Sequence, residues 1–248
     1  MTTRLLEGMA RVNAEHPWSH NDAYTPWVLR HARTVRRGGG TSALDVGCGT
    51  GRLLRRLSAV MADVTGIEQD GETASRARAG LAGIGSATVI EGSFEDLPLD
   101  RPRYDLVTFV AVLHHLPLAQ ALGAARSLLR PGGRLVVVGL ARETSADLPW
   151  SLASTVLNPV IGAIRSPRRA SAKPVDMTAP TAEPRETFAQ IADTARAVLP
   201  GVRIRRSLFW RYIAVWVAPE TPSSAPPGRG VARRALRGAA APSRSRDR

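Results

Sequence analysis

The chain has 248 residues, enough to bury a full core as one large α/β domain or two small ones, and no stretch approaches the ~20 consecutive apolar residues that span a bilayer. Cys48 is the only cysteine, which excludes an internal disulfide and a cysteine-based zinc site; no metal site is expected. A net charge of +13 invites a nucleic-acid partner, but Lys173 is the only lysine among 34 basic residues, and much of the excess lies from Gly228 onward, where seven arginines face Asp247 alone.

In chain order, residues 1–37 form a cap segment in which "EHPWSHNDAYTPWVLRHA" reads as helical after Asn21. Glu7, Asn13 and Glu15 interrupt any signal-peptide core, so a soluble, cytoplasmic protein is expected. The main domain then spans 38–219. Its strand candidates are Thr41–Gly47, Ala62–Glu68, Ala87–Gly92, Tyr104–Val112 and Gly133–Leu140. Several are near-continuous Val, Ile and Leu, as in parallel strands covered on both faces. Between them, "GRLLRRLSAVM", "ETASRARAGLAG" and "PLAQALGAARSLL" carry helical spacing, and the alternation predicts βαβ units. The proline-rich stretch 141–187 breaks the pattern and reads as a lid or substrate insertion with a short helix in "LPWSLASTVLNPVIGAI". After the helix "TFAQIADTARAVL", the strands "VRIRRSL" and "FWRYIAVWVA" are nearly contiguous and should pair as an antiparallel hairpin at a sheet edge. Residues 220–248, rich in Arg, Pro and Ala, read as a disordered tail.

The chemistry concentrates in "LDVGCGTG". Its glycines fall at 47, 49 and 51, so a third glycine is missing from position 52, where a dinucleotide fingerprint needs it. No Lys-Ser/Thr pair follows, so the loop is not a phosphate loop either. Asp45, two residues ahead of Gly47, would repel a pyrophosphate but attract an ammonium group. A ligand with an adenosine and a zwitterionic end fits both facts. The next strand ends in Glu68, 21 residues after Gly47, where a carboxylate can accept from both hydroxyls of a ribose.

These features resemble the class I S-adenosylmethionine-dependent methyltransferases. "LDVGCGTG", "VTGIEQD", "EGSFEDLPLD", "YDLVTFVAVLHHL" and "LLRPGGRLVVVG" follow the family's order and spacing, and the likeness runs from about residue 16 to 219. The "LHHL" segment, the start "HPWSHNDAYTPWVL" and the end "LFWRYIAVWVAP" are similar to a bacterial small-molecule subgroup. The resemblance implies a Rossmann-like, doubly wound sheet of seven strands, mostly parallel with an antiparallel last strand. It further implies S-adenosyl-L-methionine as methyl donor, with Asp45, Gly47, Cys48, Gly49 and Gly51 around its methionine and ribose. Glu68 would take the ribose hydroxyls and Gln69 would lie beside the adenine. Ser93 and Phe94 would flank the adenine, while Ala111 and Val112 would lie near the methionine end, with Tyr24 covering it. Many relatives carry Asp where Ser93 stands, so the adenine-amine contact either becomes weaker or passes to Glu95 or Asp96.

Transfer from a sulfonium needs mainly position. If the acceptor requires a base, His115 or His114, just past the fourth strand, would supply it. The acceptor pocket is expected from the N-terminal segment and the 141–187 insertion. Trp18, His20, Trp27, Trp150 and Phe188 are its aromatic anchors, a set suited to a small or medium organic acceptor. Two other classes compete: a nucleic-acid or protein methyltransferase, and a donor-binding protein without catalysis. The first lacks an Asn/Asp-Pro-Pro-Tyr type motif after the fourth strand, where "VLHHLP" stands.

Overall fold

The alternating pattern builds a single seven-stranded sheet in the computed structural model, which describes residues 18–99, 104–165 and 183–220 together with Gly8, Val12, Glu15 and His16. The strands are β1 (Ser42–Val46), β2 (Asp63–Glu68), β3 (Ala87–Glu91), β4 (Tyr104–Val110), β5 (Leu129–Gly139), β6 (Arg203–Ser207) and β7 (Arg211–Val217). Their order is β3-β2-β1-β4-β5-β7-β6. The first five run parallel, and β7 lies antiparallel between β5 and β6. This is the Rossmann-like sheet with an antiparallel last strand that the sequence predicts.

The helices are α1 (His20–Arg37), α2 (Arg52–Leu57), α3 (Gly71–Gly80), α4 (Leu118–Leu128), α5 (Leu148–Arg165) and α6 (Phe188–Val198). Successive strand residues point to opposite faces, so the near-continuous apolar runs feed two cores at once. Ala43, Leu106 and Val136 pack beneath α1 and α2, while their neighbours Leu44, Val107 and Val137 pack beneath α4 and α6. Every residue of β1 is buried.

Four boundaries differ from the sequence reading. Strand β4 stops at Val110, because Ala111 turns into the left-handed region (φ 58°). Strand β5 begins at Leu129, directly after α4. The register moves from Tyr104↔Leu129 to Leu106↔Arg134, so Pro131-Gly132-Gly133 bulge out of the ladder and bond instead to Ala218 at the end of β7. The predicted short helix of the insertion is the 18-residue α5: Pro149 sits in its tolerant first turn, and Pro159 leaves the Thr155 carbonyl without its usual donor. Helix α5 docks through Ser154, whose hydroxyl accepts from Phe209 N at 2.7 Å, and leaves Leu148, Leu152, Val156, Val160 and Ile164 exposed on its outer face. Finally, Phe209 and Trp210 form a turn and not the start of a strand. Both have φ near 55°, and Arg211 N closes the turn on Leu208 O at 3.3 Å. Two positive-φ central residues give the twist a tight hairpin needs, but the pair is Phe-Trp where Asn-Gly is usual. Residues 166–182 of the insertion and the tail 221–248 lie outside the described residues, so the disorder expected of the tail stays a sequence expectation. Among the described residues, no helix is long and apolar enough to cross a membrane.

Candidate functional site

Strands β1, β2 and β4 end on the same edge of the sheet, where open α/β folds place ligands. A cavity of about 1250 Å³ opens there, floored by the glycine loop and roofed by the start of α1 and the β6–β7 hairpin. Single-ligand pockets run to roughly 300–1,000 Å³, so this one has room for two small molecules side by side.

The loop's shape follows from its glycines. Gly47 takes φ +64°, and a side chain there would collide with Val112. Gly66, on β2 beneath the loop, has no side chain because a Cβ would sit 2.7 Å from Cys48 Sγ. The loop is pinned when Gly47 N and Cys48 N both donate to Ile67 O, at 2.9 and 3.1 Å. Burial, then the nearby Asp45 and Glu68, push the Cys48 thiol far up, so it is a small buried filler and not a nucleophile.

Two carboxylates face the cavity beside this loop. Glu68 is already oriented: Oε2 accepts from Gly49 N at 2.9 Å and Oε1 from Asp70 N at 3.0 Å, leaving lone pairs on both oxygens for a diol. Asp45 is 2% exposed, and its one hydrogen-bond partner among the described residues is the Thr108 hydroxyl on the adjacent strand, which donates at 2.6 Å. Burial raises its pKa to about 7, against the Thr108 bond and with help from the Glu68 charge. A buried acid in this state is set to receive a cation. The pair fits a ligand that carries a diol at one end and an ammonium at the other.

Of the predicted site residues, Asp45, Gly47, Cys48, Gly49, Glu68, Gln69, Ser93, Phe94, Ala111, Val112, His114 and His115 all line this cavity. Two do not. Tyr24 is buried and its hydroxyl donates to Leu208 O at 2.5 Å, so it braces the hairpin; Asn21, Thr25 and Val28 form the row of α1 that faces the cavity. Gly51 is the N-cap of α2 and packs on Leu81 behind the loop. Ser93 lines the cavity while accepting from Glu95 N at 3.3 Å, and Glu95 and Asp96 are not among the lining residues. Phe94 stands edge-on to Phe109 (5.3 Å between centroids), which fixes it as a wall. Of the aromatic anchors, Trp18 and His20 are present, whereas Trp27 stands edge-on to His31, Trp150 is exposed and Phe188 packs against Tyr212.

The far end of the cavity is built from three chain segments. Asn158 of α5 accepts from Trp18 Nε1 at 2.9 Å and lies 2.9 Å from His20 Nε2. Phe209, buried outside the lining, packs on these rings, edge-on to Trp18 and stacked on His20. Arg211, the first residue of β7, reaches in beside them; sequence reasoning missed it, as it missed Asn21 and Asn158. Between the histidines, His114 is the more buried, and its Nδ1 has no hydrogen-bond partner among the described residues. Burial, then the charges of His115 and Arg211, lower its pKa to about 4, so its imidazole is neutral. His115 is exposed. Across the mouth, Arg52 and Asp22 form an ion pair of 2.7 Å that latches α1 over the glycine loop. Among the described residues, no group of three potential metal ligands exists.

A family model described as a methyltransferase domain matches residues 44–137. An uncharacterized methyltransferase of Mycobacterium tuberculosis is 30% identical over 206 residues, which cover 83% of this chain and 99% of that relative. A ubiquinone biosynthesis O-methyltransferase of Xanthomonas euvesicatoria is 34% identical over 139 residues, 54% of this chain and 57% of that protein. Among solved structures, the N-methyltransferase NodS of Bradyrhizobium japonicum shares the fold, with a TM-score of 0.51 at 15% identity over 80% of this chain and 96% of that one.

Proposed function

The chain belongs to the class I S-adenosylmethionine-dependent methyltransferases, and from that premise we propose that it methylates a small or medium organic acceptor, with donor and acceptor side by side in the one cavity. The observation that carries this reading is the continuity of that cavity. It runs from the two carboxylates by the glycine loop to an enclosed polar corner made by α1, α5 and the hairpin.

At the donor end, Glu68 would hold the ribose hydroxyls and Asp45 the ammonium, while Phe94 and Ser93 flank the base. Gly47, Cys48 and Gly49 lie along the chain between them, and Ala111 and Val112 close the methionine side. When bound, S-adenosylmethionine supplies an electrophilic methyl on a sulfonium. The protein's part is alignment: orientation of the acceptor against the donor supplies most of the acceleration. His114, neutral and lining the cavity, is the residue we place to take a proton from an acceptor hydroxyl or amine. We assign it that role in preference to the exposed His115.

The test is transfer from methyl-labelled donor to a panel of small hydroxy- and amino-compounds, with RNA, DNA and peptide arms run in parallel. Label on a small compound supports the reading. Label only on a polymer, or donor binding with no transfer to any arm, overturns it.

A further inference from the structure

Arg211 is the only residue in the acceptor corner whose charge the protein leaves without an answer. Its side chain is largely buried and lines the cavity. Nε and Nη2 donate to Asn21 Oδ1 at 3.2 and 3.1 Å, and Nη1 to the carbonyls of Phe209 and Trp210 at 3.3 and 3.5 Å. All these partners are neutral. No carboxylate pairs with it among the described residues; Asp22, one position along α1, is engaged with Arg52. Burying a guanidinium without a counter-charge is costly, and proteins that keep one usually have an anion to give it.

One further feature favours the same sign of charge in this corner, and two others are compatible with it. Helix α1, 18 residues long, points its N-terminus at the cavity through Ser19, His20 and Asn21, and Ser19 makes no side-chain capping bond there. His20 and His114 add no negative charge. The turn that presents Arg211 is held in a left-handed conformation by two non-glycine residues, an arrangement kept against its strain. The cavity's other acids, Asp45, Glu68 and Asp70, lie at or just past the carboxyl ends of β1 and β2, by the glycine loop.

We propose that the acceptor is a small organic acid whose carboxylate is held by Arg211, making this residue the specificity determinant of the transfer. The inference rests on the methyltransferase reading and names its substrate class. A carboxylate is the anion of choice because the guanidinium charge, the Nη2 N–H left over from the bonds to Asn21 and the turn carbonyls, and one helix terminus match a single small charge. The carboxylate fixes the rest of the acceptor against Trp18 and His20.

The experiment measures binding of acid and amide pairs to the full chain by calorimetry: 4-hydroxybenzoate with 4-hydroxybenzamide, anthranilate with anthranilamide, and hexanoate with hexanamide. Each is run with and without S-adenosylhomocysteine. The unaltered protein should prefer the acid in at least one pair by about tenfold or more, and Arg211→Met should bring that preference below about threefold. Asn21→Asp is the second variant. It keeps an acceptor against Arg211 but adds a counter-charge, so it too should erase the preference without depending on loss of the guanidinium, and it carries the test if Arg211→Met does not fold. Retained S-adenosylhomocysteine binding marks a variant as folded. Absence of acid preference in every pair, or its survival in Asn21→Asp, overturns the proposal. Failure of the unaltered protein to bind S-adenosylhomocysteine overturns the donor reading instead, since the acid–amide comparison is also read without it.

Discussion

Two aspartates sit at opposite edges of the paired strands β1 and β4, and the protein treats them in opposite ways. At the amino edge, Asp105 Oδ2 accepts from Thr41 N, Ser42 N, Ser42 Oγ and Arg130 Nη1, all within 2.8–3.0 Å. Burial would raise its pKa, but those bonds outweigh it and hold the carboxyl below its ordinary value. At the carboxyl edge, Asp45 has the Thr108 hydroxyl alone and its pKa rises to about 7. The amino edge is electrostatically complete without any ligand. The carboxyl edge is incomplete, and Asp45, His114 and Arg211 share that condition. A fold that satisfied them internally would leave little free energy for a ligand to gain.

Four measurements bear on this contrast. The largest effect is expected from Asp45→Asn. It should weaken S-adenosylmethionine binding on the order of 100-fold, because the ligand's ammonium loses its buried counter-charge. The same variant should melt higher than the unaltered, ligand-free protein at pH 8. The raised pKa of Asp45 gives stability that is full below its ordinary value of 3.8 and is lost as pH rises through about 7, and the amide never bears that cost. A variant that melts lower and binds unchanged would erase the difference between the edges.

Next, Asp105→Asn should cost about 2–3 kcal/mol of folding stability in urea titrations, since several donors lose their charged acceptor. Its donor affinity should follow the unaltered protein, and a loss of affinity without a loss of stability would refute a structural role. A third effect is pH dependence: S-adenosylhomocysteine affinity should fall about tenfold from pH 8 to pH 6 as Asp45 takes up a proton. Asp45→Asn protein should lack that fall and report only the ligand's own titration. The smallest change is expected of Glu68→Ala. It should weaken donor binding about five- to tenfold, because the diol still reaches water when the acceptor is gone. Unchanged affinity in a folded variant would remove the ribose assignment.

The donor half of the site was legible because it is local. Asp45, the glycines and Glu68 lie within one βαβ unit, where spacing fixes geometry, and all but Gly51 of the loop residues predicted line the cavity. The acceptor half was not, because it assembles segments remote in sequence. Arg211 reads as one more arginine in an arginine-rich chain until the sheet order brings it beside Asn21, 190 positions away. Tyr24 failed for a subtler reason: it lies one position off the row formed by Asn21, Thr25 and Val28, and composition cannot say which side of α1 meets the cavity. Phe209 and Trp210 carry strong strand propensity, yet tertiary contacts with Trp18, His20 and Ser154 hold them in a turn.

The reversal of β7 has a consequence for how such a protein can change. Because this strand runs backward, its first residue, and not its last, arrives at the edge where the parallel strands end, with Tyr212 opposite Gly139. The residues proposed for donor contact are thus written in one block, from 45 to 112, while Asn21, Asn158 and Arg211 are written before and after it. The two halves are not independent, because Tyr212, Ala214 and Trp216 share a core with Leu44, Val46 and Phe94. An exchange of hairpins between relatives must therefore keep these inward residues while it changes position 211 at the edge.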